Sequence, residues 1–223
     1  MIPDLSPVFA RYEALRAEAD ALFSRVDAAC PGCVLCRRGC SDCCHALFDL
    51  SFVEAMYINR AFAAAFDYGP ERSRILAGAS EADRRLARLK RDLYRAEKAG
   101  EPAEAIMERA AKMRMPCPLL DAEAGLCMLY DSRPITCRLY GVPTAIGGRG
   151  HVCGFSGFKG GGAYPTVHLD KIQARLETLS REAAEALGSR FSEIAQVYVP
   201  LSMALLTSYD EHYLGIGPAG SGG

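Results

Sequence analysis

Residues 30–45 read CPGCVLCRRGCSDCCH. Six of the ten cysteines of the chain lie in this stretch, at Cys30, Cys33, Cys36, Cys40, Cys43 and Cys44, a density that no hydrophobic core asks for. Cys36, Cys40 and Cys43 stand four and three residues apart. On a turn of helix their sulfurs would share one face and converge on a point. Converging thiolates repel unless a cation sits between them, so the stretch speaks for metal. Adjacent Cys43 and Cys44 aim their side chains apart, which suits two sites, or two metals of one cluster, better than one small tetrahedral ion.

Around this stretch the chain reads as helical. Before it, Val8, Tyr12, Leu15, Ala19, Leu22 and Val26 alternate steps of four and three, a buried stripe that predicts a helix over residues 5–26, ended by Pro31 and Gly32. After it, residues 45–50 are a short apolar run, a brief strand or a link, and Ser51 with Glu54 forms a capping box that opens a second helix to about Phe66. Residues 71–98 carry Leu86, Leu89 and Leu93 inside and Arg84, Arg88, Arg91 and Arg95 outside, a solvated face balanced by Glu81, Asp83, Asp92 and Glu97. Pro102 starts a further helix over about 103–113, whose Ile106, Met107 and Met113 read as core filling. Leu169, Ile172, Leu176, Leu179, Ala183 and Leu187 define another helix closed by Gly188, and residues 191–206 a last one interrupted by Pro200.

Residues 115–165 differ. They carry Cys117, Cys127, Cys137 and Cys153 among many glycines and prolines, in CPLL, GLCMLY, SRPITCRLYG and HVCGFSG. Long regular elements are not expected there; three successive loops, with cysteines ten residues apart, deliver sulfur to a common place. The fold class is therefore mainly α. One helical domain over residues 1–214 holds an irregular metal-binding region, with cysteine-rich segments at 30–45 and 115–165, and residues 215–223 form a disordered tail.

The combination of Cys36-x3-Cys40-x2-Cys43-Cys44 with CPLL at Cys117, GLCMLY at Cys127 and RPITCRLYG at Cys137 resembles the YkgJ-like family of cysteine cluster proteins. Families of this kind are described as zinc- or iron-chelating domains. The resemblance covers about half the chain. It implies that Cys36, Cys40, Cys43, Cys44, Cys117, Cys127 and Cys137 are metal cysteines, with Cys153 an eighth, and it implies no settled reaction. More distantly, the motif style is similar to that of flagellin lysine methylases.

Two other readings use the same residues. Cys30, Cys33, Cys36 and Cys40 have the spacing of a bacterial ferredoxin run, but Ser41 stands where proline is usual and no second copy follows. Cys36, Cys40 and Cys43 have the spacing of radical S-adenosylmethionine enzymes, but Asp42 replaces the usual aromatic residue and the alternating strands and helices of their partial barrel are missing. Thiolates suit both zinc and iron–sulfur. The cofactor reading is an iron–sulfur cluster or iron, with zinc as the alternative.

Residues beside the cysteines tune such a site. Arg37, Arg38 and Arg138 offset thiolate charge, and Tyr130 and Tyr140 donate hydrogen bonds to sulfur or substrate; Arg138 and Tyr140 are the candidates for cofactor contact. His45 and then His151 are the candidate non-cysteine ligands. Gly147, Gly148, Gly150 and the glycines at 160–162 mark a flexible segment round Cys153, a mobile lid or a plain loop. A nucleophile elbow, a Walker loop and an H-E-x-x-H motif are absent, and no catalytic residue is assigned.

Two functions stay open. One is an iron or iron–sulfur protein with a redox role, or one that modifies a protein or peptide substrate; the other is a non-catalytic interaction module with structural four-cysteine zinc sites. The formal net charge of -1 argues against nucleic acid as a partner, and without a signal sequence or a spanning segment the expected place is the cytoplasm. Metal ions, and a protein substrate or redox partner, are the partners expected.

Overall fold

Phe52, Val53, Ala55, Ile58 and Phe62 are almost wholly withdrawn from solvent, so the second helix of the chain is apolar on more than one side. A helix of that kind has to lie between two cores. The computed structural model, which describes residues 1–217, places it there. In chain order the elements are α1 (Ser6–Ala29), β1 (Asp49–Ser51), α2 (Phe52–Ala65), α3 (Pro70–Lys98), α4 (Ala103–Lys112), β2 (Leu120–Asp121), β3 (Leu126–Cys127), α5 (Ile135–Leu139), β4 (Thr144–Ile146), β5 (Arg149–His151), β6 (Val167–His168), α6 (Leu169–Leu187), β7 (Tyr198–Pro200) and α7 (Leu201–Leu206). The molecule is mainly α.

The first core joins α1, α2, α5 and α6 through Tyr12, Leu15, Phe52, Val53, Ile135, Leu139, Leu176 and Leu179. In the second, Ile58 and Phe62 of α2 meet Ile75 and Ala79 of α3, Ala204 and Leu205 of α7, and Leu119 and Leu129 from the loops. The expected stripe of α1 is buried at Val8, Tyr12, Leu15, Ala19 and Val26. The capping box is formed: Ser51 N–H and Oγ–H donate to Glu54 Oε2 at 3.3 and 3.0 Å. Gly188 closes α6 in the left-handed conformation.

Short strands tie distant segments together. β1 runs antiparallel to β7, with Leu50 opposite Val199, so residue 50 is locked to the C-terminal part of the chain. β4 is the middle of three strands, antiparallel to β5 and parallel to β6. The glycine-rich segment is thus a hairpin in its first half, with Gly147 and Gly148 as its two-residue turn, and not an open lid.

Other expectations are corrected. Residues 36–41 are not helical: Gly39 takes φ +94, a left-handed conformation that breaks a helix, and only Asp42–His45 forms a short 3-10 turn. Residues 191–206 divide into a 3-10 turn at Ile194–Gln196, β7 and α7, because Pro200 ends a strand there and does not interrupt a helix. Met107 and Met113 are exposed, since α4 packs mainly against α3 and its outer face meets water. On α3, Arg84 pairs with Glu81 and Arg95 with Asp92, a solvated face as expected. Gly215 and Ile216 donate backbone hydrogen bonds to His212 and Glu211, while residues 218–223 of the expected tail lie outside the described residues.

Candidate metal centre

The cysteines of the two segments come together through backbone pairing. Cys117 N–H donates to Cys44 O at 2.7 Å and Met115 N–H to His45 O at 3.0 Å, next to an antiparallel bridge between Ala46 and Arg114. This stitch lays Cys117 against the Cys43–Cys44 turn. The β2–β3 hairpin sets Cys127 opposite Leu120, and Met128 N–H on Leu119 O fixes its root. Cys137 lies in α5, whose first amide, Ile135 N–H, donates to Glu54 Oε1 at 3.2 Å. Glu54 also accepts from Tyr12 Oη–H at 3.3 Å, so one buried carboxyl joins α1, α2 and the Cys137 helix.

Cys36 is seated against Gly141: a Cβ there would stand 2.4 Å from Cys36 Cβ and 3.1 Å from its Sγ. Cys153 donates its S–H to Asp42 Oδ2 at 3.5 Å, and Arg114 clamps Asp42 through its carboxylate and its backbone oxygen. Gly157 N–H on Cys33 O, at 2.8 Å, ties the Cys153 loop back to the first segment.

The thiols surround two cavities. The larger, of 330 Å³, is bordered by Cys43, Cys44, Cys117, Cys127 and Cys137 with Arg133. The smaller, of 20 Å³, is bordered by Cys36, Cys40, Cys43 and Cys153 with Asp42 and Tyr140. Cys43 borders both. Among the described residues no three His, Cys, Asp or Glu side chains converge on one point in ligating geometry. The sulfurs nevertheless act on one another.

Hydrogen bonds from Cys137 and Cys44, helped by the Arg133 guanidinium, pull the Cys43 thiol down to about 3, and the same bonds push Cys44 and Cys137 upward. Burial, with the charge of neighbouring sulfurs, raises Cys36 to about 11 and Cys117 to about 12. Burial also raises Cys127 and Cys153. Thiols pushed upward, round one pulled downward, are sites that a soft cation would deprotonate in turn. The donor chemistry fits a thiolate-bound metal.

Tyr140 borders the smaller cavity, and its Oη accepts from Arg114 Nη1 at 3.3 Å. Arg138 turns away, engaging Asp20 and the carbonyls of Asp131 and Arg133. The guanidinium that reaches the sulfurs is Arg133, lowering Cys36, Cys43 and Cys127. It is held 3.6 Å above the Tyr130 ring and donates Nε–H to Tyr130 O at 2.9 Å. Arg38 also lies over that ring, at 5.7 Å. His45 bonds Ser41 O through Nδ1 at 3.0 Å, and His151 stacks edge-on with Tyr140. Cys30 and Cys33 border neither cavity and pack against the first core. Sequence reasoning missed Arg133, Asp42 and Gly141 as parts of the site; each lies inside a quoted motif, but nothing local tells which arginine of SRPITCRLYG faces sulfur.

No curated protein and no solved structure matches the chain at a significant level. Residues 35–154 match a protein family with the CxxCxxCC signature, described as a "putative zinc- or iron-chelating domain". That span holds all eight cysteines bordering the two cavities and excludes Cys30 and Cys33. It covers more than half of the 223 residues, and the chain belongs to this metal-chelating cysteine-cluster family.

Proposed function

We propose that the chain holds iron, as ions or as an iron–sulfur cluster, and uses it in electron transfer or in modifying a protein or peptide. Cys44, Cys117, Cys127 and Cys137 form one ligand set, Cys36, Cys40 and Cys153 the other, and Cys43 serves both. The observation that carries this is the 330 Å³ cavity onto which the first set opens. A structural zinc site is closed by its four ligands, whereas a working metal centre keeps a position open. A thiolate-bound iron supplies electron transfer or the activation of a bound substrate. The residues do the rest: Arg133 offsets negative charge at the sulfurs, Asp42 accepts a hydrogen bond from Cys153, and apolar side chains line the approach to the thiols.

A second reading has an observation of its own. The 20 Å³ cavity of the Cys36 set leaves no room for a substrate, which favours structural zinc at that place. Metal and acid-labile sulfide analysis of protein purified without oxygen, with an absorption spectrum, separates the readings. Iron, with sulfide and a broad visible absorption if a cluster is present, is expected. A colourless protein with stoichiometric zinc and no iron overturns the redox reading.

A further inference from the structure

The larger cavity is built for more than access to metal. Beyond the cysteines its walls are hydrocarbon: Leu86, Leu89 and Leu93 of α3 face Leu47, Phe48 and Leu119 across it. The three α3 leucines are half-buried, although they were expected to make an inner face; no protein side chain covers them fully. The polar side chains around it are already engaged. Asp49 and Lys90 neutralise each other at 3.4 Å, Ser202 Oγ–H donates to Asp83 Oδ1 at 3.3 Å, and Arg133 is committed to Tyr130 and the sulfurs. Among the described lining residues each charged side chain already has a partner, which disfavours an ionic head group, and the volume lies in the range of small-molecule sites.

We infer that this cavity binds one neutral, apolar small molecule of chain-like or compact hydrocarbon character, seated between the α3 leucines and the Cys43–Cys44–Cys117 face. A peptide strand is the less suitable occupant, because the engaged polar side chains leave it few partners for its backbone. That the molecule is a substrate of the metal centre rests on the proposed function; that it binds does not. Burying hydrocarbon against Leu86, Leu89 and Leu93 is what drives it.

The test is a fluorescence titration of the metal-loaded protein with N-phenyl-1-naphthylamine, a neutral apolar probe, followed by competition with straight-chain primary alcohols. One probe per chain is expected. Alcohol affinity should rise about 4-fold per added methylene and level off once the chain outgrows the cavity, with metal content unchanged at saturation. Leu89→Trp, which fills the cavity from a half-exposed helix face, should weaken the probe at least about 10-fold with helix content and metal content kept. Leu86→Trp serves the same purpose if the first variant does not fold. Absence of saturable binding, affinity that climbs without levelling, or unchanged binding in the filled variant overturns the inference. So does an apolar tripeptide that displaces the probe better than an alcohol of equal hydrocarbon, since a peptide is then the occupant. Metal-free preparations that still bind the probe sustain the pocket, and the metal reading is decided separately by metal analysis.

Discussion

Cys43 borders both cavities, and its neighbour Cys44 borders only the larger. Replacing Cys153 by Ser should therefore remove about half of the bound metal and leave the Cys117 set loaded, with Cys117→Ser giving the converse, while Cys43→Ser lowers both. Metal analysis of the three purified variants checks this; equal and complete loss from all three would point to one shared centre. Gly141 is tested by size. Its Cβ would meet Cys36 at 2.4 Å, and backbone, not a free side-chain end, has to move. Gly141→Ala should destabilise by about 1–3 kcal/mol in denaturant unfolding and lower metal content, whereas the same change at Gly150, where open space lies around, should do neither. Glu54 is tested by pH. Burial raises its carboxyl above the ordinary 4.5. A raised carboxyl contributes stability that is full below 4.5 and is lost as pH rises through the folded value. Stability measured against pH should then fall upward from about pH 4.5 in the wild type relative to Glu54→Gln, which does not titrate there. The variant should also be weaker by about 1–3 kcal/mol, because an amide nitrogen in the place of Oε2 accepts from neither Ser51 N–H nor Oγ–H. A constant difference at every pH would mean that Glu54 keeps one protonation state.

Between residues 115 and 165 the elements are a two-residue hairpin pair, a five-residue helix and a three-residue hairpin. None is long enough to be stable alone. They are held by the Cys44–Cys117 stitch, by Leu119 and Leu129 in the second core, and by Ile135 and Leu139 in the first. Removing metal anaerobically with a chelator should raise amide hydrogen exchange over residues 36–45 and 115–157 by about 10-fold or more. α1 and α6, whose core does not include the eight cysteines, should keep their protection. Uniform loss over the whole chain would show that metal binding and folding are one event. The same division explains what the sequence disclosed. α1, the Ser51–Glu54 box and α6 were legible because periodicity and capping act within a few residues. The helix expected over Cys36–Cys43 was not, because spacing alone does not reveal that Gly39 takes a left-handed turn. Leu86, Leu89 and Leu93 were legible as an inner face, but not as the wall of a cavity.

In the whole molecule, the metal-chelating span 35–154 lies between helices that it does not contain. α1 and α6 supply most of the first core, and β7 closes on β1 from residues 198–200. Arg133 and Arg138 show why the site was only partly readable: both flank Cys137, and Asp20 of α1, more than a hundred residues away, is what turns Arg138 outward. Expressed alone, residues 35–154 should give no cooperative unfolding transition; a cooperative transition would show that the first core and the closure by β7 are dispensable. The helices number enough apolar residues to bury a core, and among the described residues none is long and apolar enough to cross a membrane.

The pairing of Leu50 with Val199 also sets a clock on biosynthesis. β7, the strand that pairs with β1 just beyond Cys36 to Cys44, is synthesised about 150 residues after it. At about 5–20 residues per second the nascent chain carries four unsheltered thiols for about 10–30 s. During that interval they are open to oxidants and to any cation present.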